Sequence, residues 1–439
     1  MLRRLTVVAV VLAAVGAGAF VVLRGDDEPP SYSPINLDDD PWAYTQDHED
    51  EFESRAAAGH SHVVYVKSPG GVAATARRVA RWRPQVEDAA DEAGVDPSLV
   101  EGLVLLESAG RPDARASDDL EGAVGLTQIL AETATSLLGM HVDVARSERL
   151  TRKLGRARAP REAARIRAQR ARVDERFDPE KALAATGRYL NTAMHEFGRE
   201  DLAVVSYHMG IGNLQQVLGA YGDDDVSYTQ LYFDASPDRE PRAYRMLAGL
   251  GDDSKTYYWR VLASREVMRL YRDERAKLDR LARLQAGAAS GELVLQPPGL
   301  SDQVESRDDV EAAFSDGALR PFPNRPARYG LRPARAGGGL RPEAFALAAY
   351  IGRGVRNVSG VRTPLTVIRT VQPAGGIHAT GYAFDVRRSY ANGRQAEAFQ
   401  FMLDRLQALD LIAWTRDADT IHITTSREGR RLMQLAGAQ

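Results

Sequence analysis

The sequence contains no cysteine. This absence excludes disulfides, thiolate metal ligands, a cysteine nucleophile and a lipidated N-terminal cysteine, but it does not exclude export. A large excess of one charge is also missing, since the net charge is −3 over 439 residues. We therefore do not expect the chain to bind nucleic acid through electrostatics, and its length predicts two or three domains.

An almost uninterrupted apolar run of notable length occurs at the N-terminus. It extends from Leu5 to Leu23 and follows Arg3 and Arg4. The run is about long enough to span a bilayer, and the positive flank places the rest of the chain outside the cytoplasm. Small residues at 17–19 are also typical of a signal-peptide cleavage site. Because the apolar run continues past them, the sequence favours a membrane anchor over residues 1–24.

Either interpretation of the N-terminus predicts an exported protein of the cell envelope. It would act at the periplasmic or other extracytoplasmic face, anchored to the inner membrane through this helix or secreted. The acidic, proline-containing stretch 25–71 is typical of a solvated tether, with one short strand expected at His62–Val66. Composition also predicts a linker over residues 284–326.

A short helix ending at a glutamate organises the first predicted domain, residues 72–283. Asp96 is suited to the N-cap and Pro97 to the first helical position, and a glycine and a proline after Ser108 favour a stop. Glu107 projects from the apolar stripe formed by the residues three, four and seven positions before it. Partial burial would raise the pKa of its carboxyl and keep it protonated near neutral pH, ready to protonate a leaving oxygen.

The rest of this domain is predicted to be helical. Helices are expected at 74–93, 180–197, 201–217 and 257–281, with no β-rich stretch between them. The composition of an arginine-rich insertion at 146–172 predicts one or two exposed helices. It is either an ordinary solvated face or a basic strip that attracts anionic wall polymer or lipid headgroups.

Three blocks follow one another in this region: Glu107-Ser108, Gly122 to Ile129, and Ser206 to Gly212. In this order they resemble the soluble lytic transglycosylases, whose catalytic domain has a lysozyme-like fold. Those enzymes have a Glu-Ser pair, a Gly-Ala-x-Gly-Leu-Met-Gln-Ile block and a Tyr-Asn-Ala-Gly block, in that order. The chain has Thr127 in place of the methionine, and His208 and Met209 in place of the asparagine and alanine.

The resemblance implies cleavage of the bond between N-acetylmuramic acid and N-acetylglucosamine in peptidoglycan, without water and with a 1,6-anhydro product. Glu107 would act first as acid and then as base. Gln128 and Tyr207 would position the sugar and the carboxyl group, Ser108 would hydrogen-bond nearby, and the turn from Gly122 to Gly125 would let the backbone approach the glycan. No cofactor is implied for this domain.

The C-terminal region, residues 327–439, is predicted to be a small α+β domain. Strands are expected at 365–371, 381–386, 411–415 and 420–424, with a helix at 393–409. Alternation along the second and fourth strands places Asp385 and His422 on the faces opposite their apolar neighbours. Together with His378 they could converge on one site, and two imidazoles with a carboxylate and an open position suit a catalytic zinc.

The His-x-x-Gly-x-Ala-x-Asp element from His378 to Asp385 is followed by a late histidine, His422. This pattern resembles the zinc D-alanyl-D-alanine carboxypeptidase group of cell-wall peptidases. On that resemblance His378, Asp385 and His422 would ligate zinc. Asp419 stands where the family has a glutamate general base, and Arg369 would steady an oxyanion or a substrate carboxylate. The domain is then either an active peptidase or one that only binds peptide.

The sequence therefore predicts a multidomain fold: a mainly α lysozyme-like domain, a smaller α+β zinc-peptidase-like domain, and an N-terminal membrane anchor or signal. The expected partners are peptidoglycan glycan strands and stem peptides. Two other functions stay open for the first domain. A goose-type lysozyme would hydrolyse the same bond, with Asp118 or Asp119 holding a water, and a catalytically inactive scaffold would only bind the wall.

Overall fold

A computed structural model describes residues 40–251, 253–287, 290–322, 329–335, 337–358 and 360–437. The predicted anchor, residues 1–24, and the first part of the predicted tether lie outside these ranges. Within the ranges, no helix is both long enough and apolar enough to cross a membrane.

The described chain forms a helical unit, residues 40–287, and a C-terminal unit, residues 290–437. The helical unit contains α1 (Glu49–Gly59), α2 (His62–Val66), α3 (Val72–Val79), α4 (Arg83–Ala93), α5 (Pro97–Ser108), α6 (Ala131–Ser136), α7 (Val144–Arg156), α8 (Pro160–Ala171), α9 (Pro179–Phe197), α10 (Glu200–Met209), α11 (Ile211–Tyr221), α12 (Tyr228–Asp234), α13 (Pro241–Gly249), α14 (Tyr257–Asp273) and α15 (Arg275–Leu284). The helices of the C-terminal unit are α16 (Ser290–Leu295), α17 (Arg307–Ser315), α18 (Pro342–Asn357), α19 (Gly393–Ala408) and α20 (Gly429–Gly437). Its strands are β1 (Arg320–Pro321), β2 (Leu331–Pro333), β3 (Gly339–Leu340), β4 (Leu365–Arg369), β5 (Ala383–Arg387), β6 (Ile412–Arg416) and β7 (Thr420–Thr425).

Helix α5 lies at the centre of the helical unit, packed between α4 and α14. The Asp96 carboxylate accepts a hydrogen bond of 2.7 Å from the backbone N–H of Ser98, so it caps the helix where the sequence predicts. Gly102 lets α14 approach closely, because a Cβ at this position would lie 2.7 Å from the carbonyl oxygen of Val261. The mainly helical prediction for this region is confirmed, which is consistent with a lysozyme-like domain.

A five-stranded sheet forms the C-terminal unit, in the order β2-β4-β5-β7-β6. The β2–β4 pair is parallel and the other pairs are antiparallel, with Asp385 opposite His422 in the β5–β7 register. Helices α18 and α19 contribute buried apolar side chains to its core. The four predicted strands and the predicted helix all occur, with ends shifted by a few residues.

Three long helices predicted from the sequence are each broken into two. The stretch 74–93 divides into α3 and α4 at a 3-10 turn formed by residues 80–82. Two further predicted helices divide as well. The stretch 201–217 divides into α10 and α11 at Gly210, whose φ of +84° is outside the helical region. The stretch 257–281 divides into α14 and α15 at Glu274. In both cases the apolar pattern continues across the break, so periodicity alone predicted one helix.

The predicted tether and linker differ most from the structure. The expected strand at His62–Val66 is wrong, since these residues form α2, and the described part of the tether also contains α1 with Phe52 and Ala56 buried. The acidic residues in the first turn of α1 make this stretch polar in composition, which favoured a tether. The two buried residues are nevertheless spaced i, i+4, as expected on one face of a helix. The predicted linker likewise contains α16, α17 and β1.

Candidate functional site

Glu107 lies partly buried in the last turn of α5. Its Oε1 accepts a hydrogen bond of 2.6 Å from the hydroxyl of Tyr257, and Tyr257 is the first residue of α14. Burial raises the pKa of the Glu107 carboxyl to about 7, although the hydrogen bond from Tyr257 acts in the opposite direction. The carboxyl therefore holds its proton close to neutral pH.

The tyrosine that contacts this carboxyl is itself held by a second ring. The Tyr257 ring stacks on the imidazole of His208, with 4.8 Å between ring centroids and 26° between planes. The His208 Nδ1 lies 2.9 Å from the hydroxyl oxygen of Ser254, which fixes the ring from its other side. His208 occupies the position where the transglycosylase pattern has asparagine. In this chain the imidazole at that position packs against Tyr257, whose hydroxyl contacts Glu107.

Tyr207 connects the neighbourhood of Glu107 to the glycine-rich block. Its hydroxyl donates to the carbonyl oxygen of Thr127 at 2.8 Å and lies 3.3 Å from the hydroxyl of Thr186. Burial and the charge of Glu107 both raise the pKa of Tyr207 above its ordinary value, so the phenol stays protonated and available as a donor. The structure thus brings Tyr207 into the electrostatic field of Glu107.

A buried ion pair holds the glycine-rich block in place, and the sequence analysis did not identify it. Arg176 and Asp174 are fully buried and pair at 2.9 Å. The Arg176 guanidinium also donates to the carbonyl oxygens of Leu120, Gly122 and Ile129. These two residues directly follow the arginine-rich insertion. Because the insertion is rich in exposed charged residues, its composition gave no sign that the charged pair just after it is buried.

The predicted sugar-contacting residues have different environments. The Ser108 hydroxyl donates to the carbonyl oxygen of Val104 within α5 and is buried, so it does not reach the Glu107 carboxyl. The Gln128 side chain donates to the carbonyl oxygen of Gly125 at 2.9 Å. Gly122 is partly exposed, whereas Gly125 is buried against Arg176.

Three residues of the C-terminal unit form a compact cluster. The ligand atoms of His378, Asp385 and His422 all lie within 4.8 Å of one another. Asp385 Oδ1 is 3.3 Å from His378 Nε2 and 2.7 Å from His422 Nδ1. The β5–β7 register produces this proximity, and the short helical turn Gly376–Thr380 adds His378.

The chemistry of this cluster fits a metal ion. The His378 Nδ1 lies 3.2 Å from the carbonyl oxygen of Ala383, while its buried Nε2 has no hydrogen-bond partner among the described residues. A buried nitrogen with a free lone pair aimed at a carboxylate is a suitable zinc ligand. Burial alone would raise the pKa of Asp385, but the two neighbouring histidines outweigh it and lower the pKa below its ordinary value.

The surrounding residues agree only in part with the sequence analysis. Arg369 Nε lies 3.3 Å from Asp385 Oδ2, so the structure brings this residue to the cluster. Asp419 is exposed in the turn before β7, three residues from His422, and its side chain makes no described contact with the cluster. Instead, Glu292 Oε1 lies 2.7 Å from His422 Nε2. Burial would lower the pKa of His422, but the two carboxylates outweigh it and raise the pKa to about 9.

Comparison with known protein families gives one match, Transglycosylase SLT domain, over residues 156–229. The match includes α9, α10 and Tyr207, and it ends before Tyr257; Glu107 and the glycine-rich block precede it. No curated protein and no solved structure shows a significant similarity to the chain. The family match supports a lytic transglycosylase activity on peptidoglycan for the helical unit.

Proposed function

We propose that the chain is an exported enzyme that cleaves peptidoglycan between N-acetylmuramic acid and N-acetylglucosamine, leaving 1,6-anhydro ends. One observation carries the proposal: Glu107 is buried enough to raise its pKa to about 7 and is held by the hydroxyl of Tyr257 at 2.6 Å. An acid that is protonated near neutral pH can protonate a glycosidic oxygen. The family match over residues 156–229 supports the same reaction.

In the proposed reaction, Glu107 serves twice. Its proton passes to the glycosidic oxygen as the bond to the muramyl C1 breaks, which leaves a carboxylate. That carboxylate then accepts the proton of the muramyl C6 hydroxyl while the C6 oxygen bonds to C1 and closes the anhydro ring. The carboxyl group ends protonated as it began, and no water is consumed. Tyr257 keeps one carboxyl oxygen in a fixed position throughout.

We also propose that the C-terminal unit binds zinc and either cleaves or grips stem peptides. His378, Asp385 and His422 would hold the ion, and the buried Nε2 of His378, which makes no hydrogen bond among the described residues, supports this assignment. The ion would supply Lewis-acid activation of water or of a peptide carbonyl. Arg369, beside Asp385, is placed to bind a substrate carboxylate.

Digestion of purified peptidoglycan with mass analysis of the products tests both proposals. Wild type should release anhydro-muropeptides, Glu107→Gln should release none, and His378→Ala should lose peptide cleavage alone. Reducing ends in place of anhydro ends would establish hydrolysis. Binding without any products, identical in wild type and Glu107→Gln, would establish a scaffold.

A further inference from the structure

The interdomain helix α16 carries a carboxylate to the candidate metal cluster. Glu292 Oε1 is 2.7 Å from His422 Nε2, and both side chains are more than four-fifths buried. A longer contact of 3.4 Å joins the same nitrogen to the hydroxyl of Thr424. Glu292 lies about 130 residues before His422 in sequence, in a stretch with the composition of a linker.

Helix α16 is fixed against the sheet, so the position of this carboxylate does not depend on a free side chain. The helix packs on β6 and β7. The side chain of Gln296, next after the helix, donates to the carbonyl oxygen of Thr425 at 2.8 Å, and it is buried. Gly291 lies directly against Ala413, because a Cβ at this position would come within 3.4 Å of the alanine Cβ.

The two nitrogens of His422 have different partners. Nδ1 faces Asp385 at 2.7 Å and therefore points into the cluster, while Nε2 faces Glu292. A metal ion that binds Nδ1 must displace the proton there, and a carboxylate at Nε2 then keeps the remaining proton on Nε2, which is the tautomer that binds a metal through Nδ1. His378 has the complementary arrangement, since its Nδ1 faces a backbone carbonyl and its Nε2 points inward.

We propose that Glu292 is a positioning residue that orients His422 and sets its tautomer for metal binding. The inference rests on the proposed zinc site and extends it. Histidine ligands of metals usually donate their second N–H to a carboxylate or carbonyl, which fixes the ring and raises its basicity. Because Glu292 belongs to α16, metal binding by the cluster also stabilises the docked position of that helix.

Zinc affinity of the full chain tests the role of Glu292, measured by competition with a chromophoric chelator. Glu292→Ala should weaken zinc binding by about 10–100-fold. Glu292→Gln should weaken it less, since an amide oxygen still accepts the N–H but carries no charge. The matched control is Glu311→Ala on α17, an exposed glutamate that pairs with Arg307, and it should bind zinc like wild type.

Amide hydrogen exchange gives a second measurement. Zinc should slow exchange in α16 of wild type, and Glu292→Ala should abolish that effect while zinc still protects β5 and β7. Equal zinc affinity for wild type, Glu292→Ala and Glu292→Gln would overturn the inference. If Glu292→Ala does not fold, equal affinity of Glu292→Gln and wild type at pH 7 would suffice. Failure of wild type itself to bind zinc would overturn the proposed metal site and this inference with it.

Discussion

Two glutamates on α5 show how the neighbours of a buried acid decide its role. Glu101 is buried and forms ion pairs with Arg272 at 2.6 Å and Arg83 at 3.3 Å. Glu107 receives a phenol hydrogen bond instead, and no lysine or arginine of the described residues forms an ion pair with it. Glu101 thus has two cationic partners, whereas burial raises the pKa of the Glu107 carboxyl, which has none. Only Glu107 is therefore suited to proton transfer.

The raised pKa of Glu107 predicts a pH-dependent loss of stability. The unfolded chain releases this proton near pH 4.5, whereas the folded protein keeps it to about pH 7. This contribution to stability is therefore complete below about pH 4.5 and is lost as the pH rises through 7, because folding must then bury an ionised carboxylate. Glu107→Gln should be more stable than wild type by about 1–3 kcal/mol at pH 8, with a smaller difference at pH 4.5.

Urea unfolding of both proteins at the two pH values measures this effect, and comparison of the variants cancels the other titrating groups. The matched control is Glu101→Gln, which should lose stability at pH 8 because two arginines lose their buried partner. A Glu107→Gln variant less stable than wild type at pH 8 would show that the carboxylate is well solvated.

At the scale of elements, the buried side chain of Arg176 holds the glycine-rich block in place through hydrogen bonds. The guanidinium donates to two carbonyl oxygens of the block, to the carbonyl oxygen of Leu120 just before it, and to the Asp174 carboxylate. The block in turn presents the carbonyl of Thr127 to Tyr207. The two predicted glycines therefore have different roles: Gly125 permits close packing on the Arg176 backbone, and Gly122 stays available at the surface.

Alanine substitutions should separate the two glycines. Gly125 has a φ of +85°, and a Cβ there would lie 1.9 Å from the carbonyl oxygen of Arg176, so Gly125→Ala should destabilise the protein by about 2–4 kcal/mol. The nearest atom to a Cβ on Gly122 is 3.3 Å away, and Gly122→Ala should cost less than about 1 kcal/mol. Denaturant unfolding measures both, and similar losses would contradict the assignment.

Local signals in the sequence predict single elements better than they predict contacts between distant ones. Asp96 and Pro97 define the start of α5 by adjacent capping chemistry, and alternation in β5 and β7 brings Asp385 to His422. Glu292 is different, because a six-residue helix in a polar stretch has no periodic pattern and its partner is far away in sequence. Long-range side-chain contacts of this kind depend on tertiary packing.

At the scale of the molecule, the first described segment, residues 40–48, joins the two units, and one hydrophobic core contains side chains of both. Trp42 is buried edge-on against Tyr350 of α18, with ring centroids 5.2 Å apart. Arg405 of α19 donates to the carbonyl oxygen of Trp42 and to the carboxylate of Asp40, both at 2.8 Å. Lys255 forms a further ion pair between the units with Asp404, at 2.6 Å. The two candidate sites are thus carried on one packed body.

This shared core predicts that the two units unfold together. Hydrogen exchange at increasing urea should expose the amides of α5 and β5 at the same midpoint in wild type, because neither unit keeps its core when the other opens. Trp42→Ala should lower stability by about 3–5 kcal/mol and separate the two midpoints, since it removes the largest buried side chain of the segment.

Phe345→Ala on α18 is the control, because the Phe345 ring packs edge-on against Phe322 and Tyr329 of the same unit. It should lower stability while α5 and β5 still open together, because the contacts between the units remain. Separate midpoints for α5 and β5 in wild type would mean that the contacts of Trp42 and Lys255 do not couple the units, and the two candidate sites would then move independently of each other.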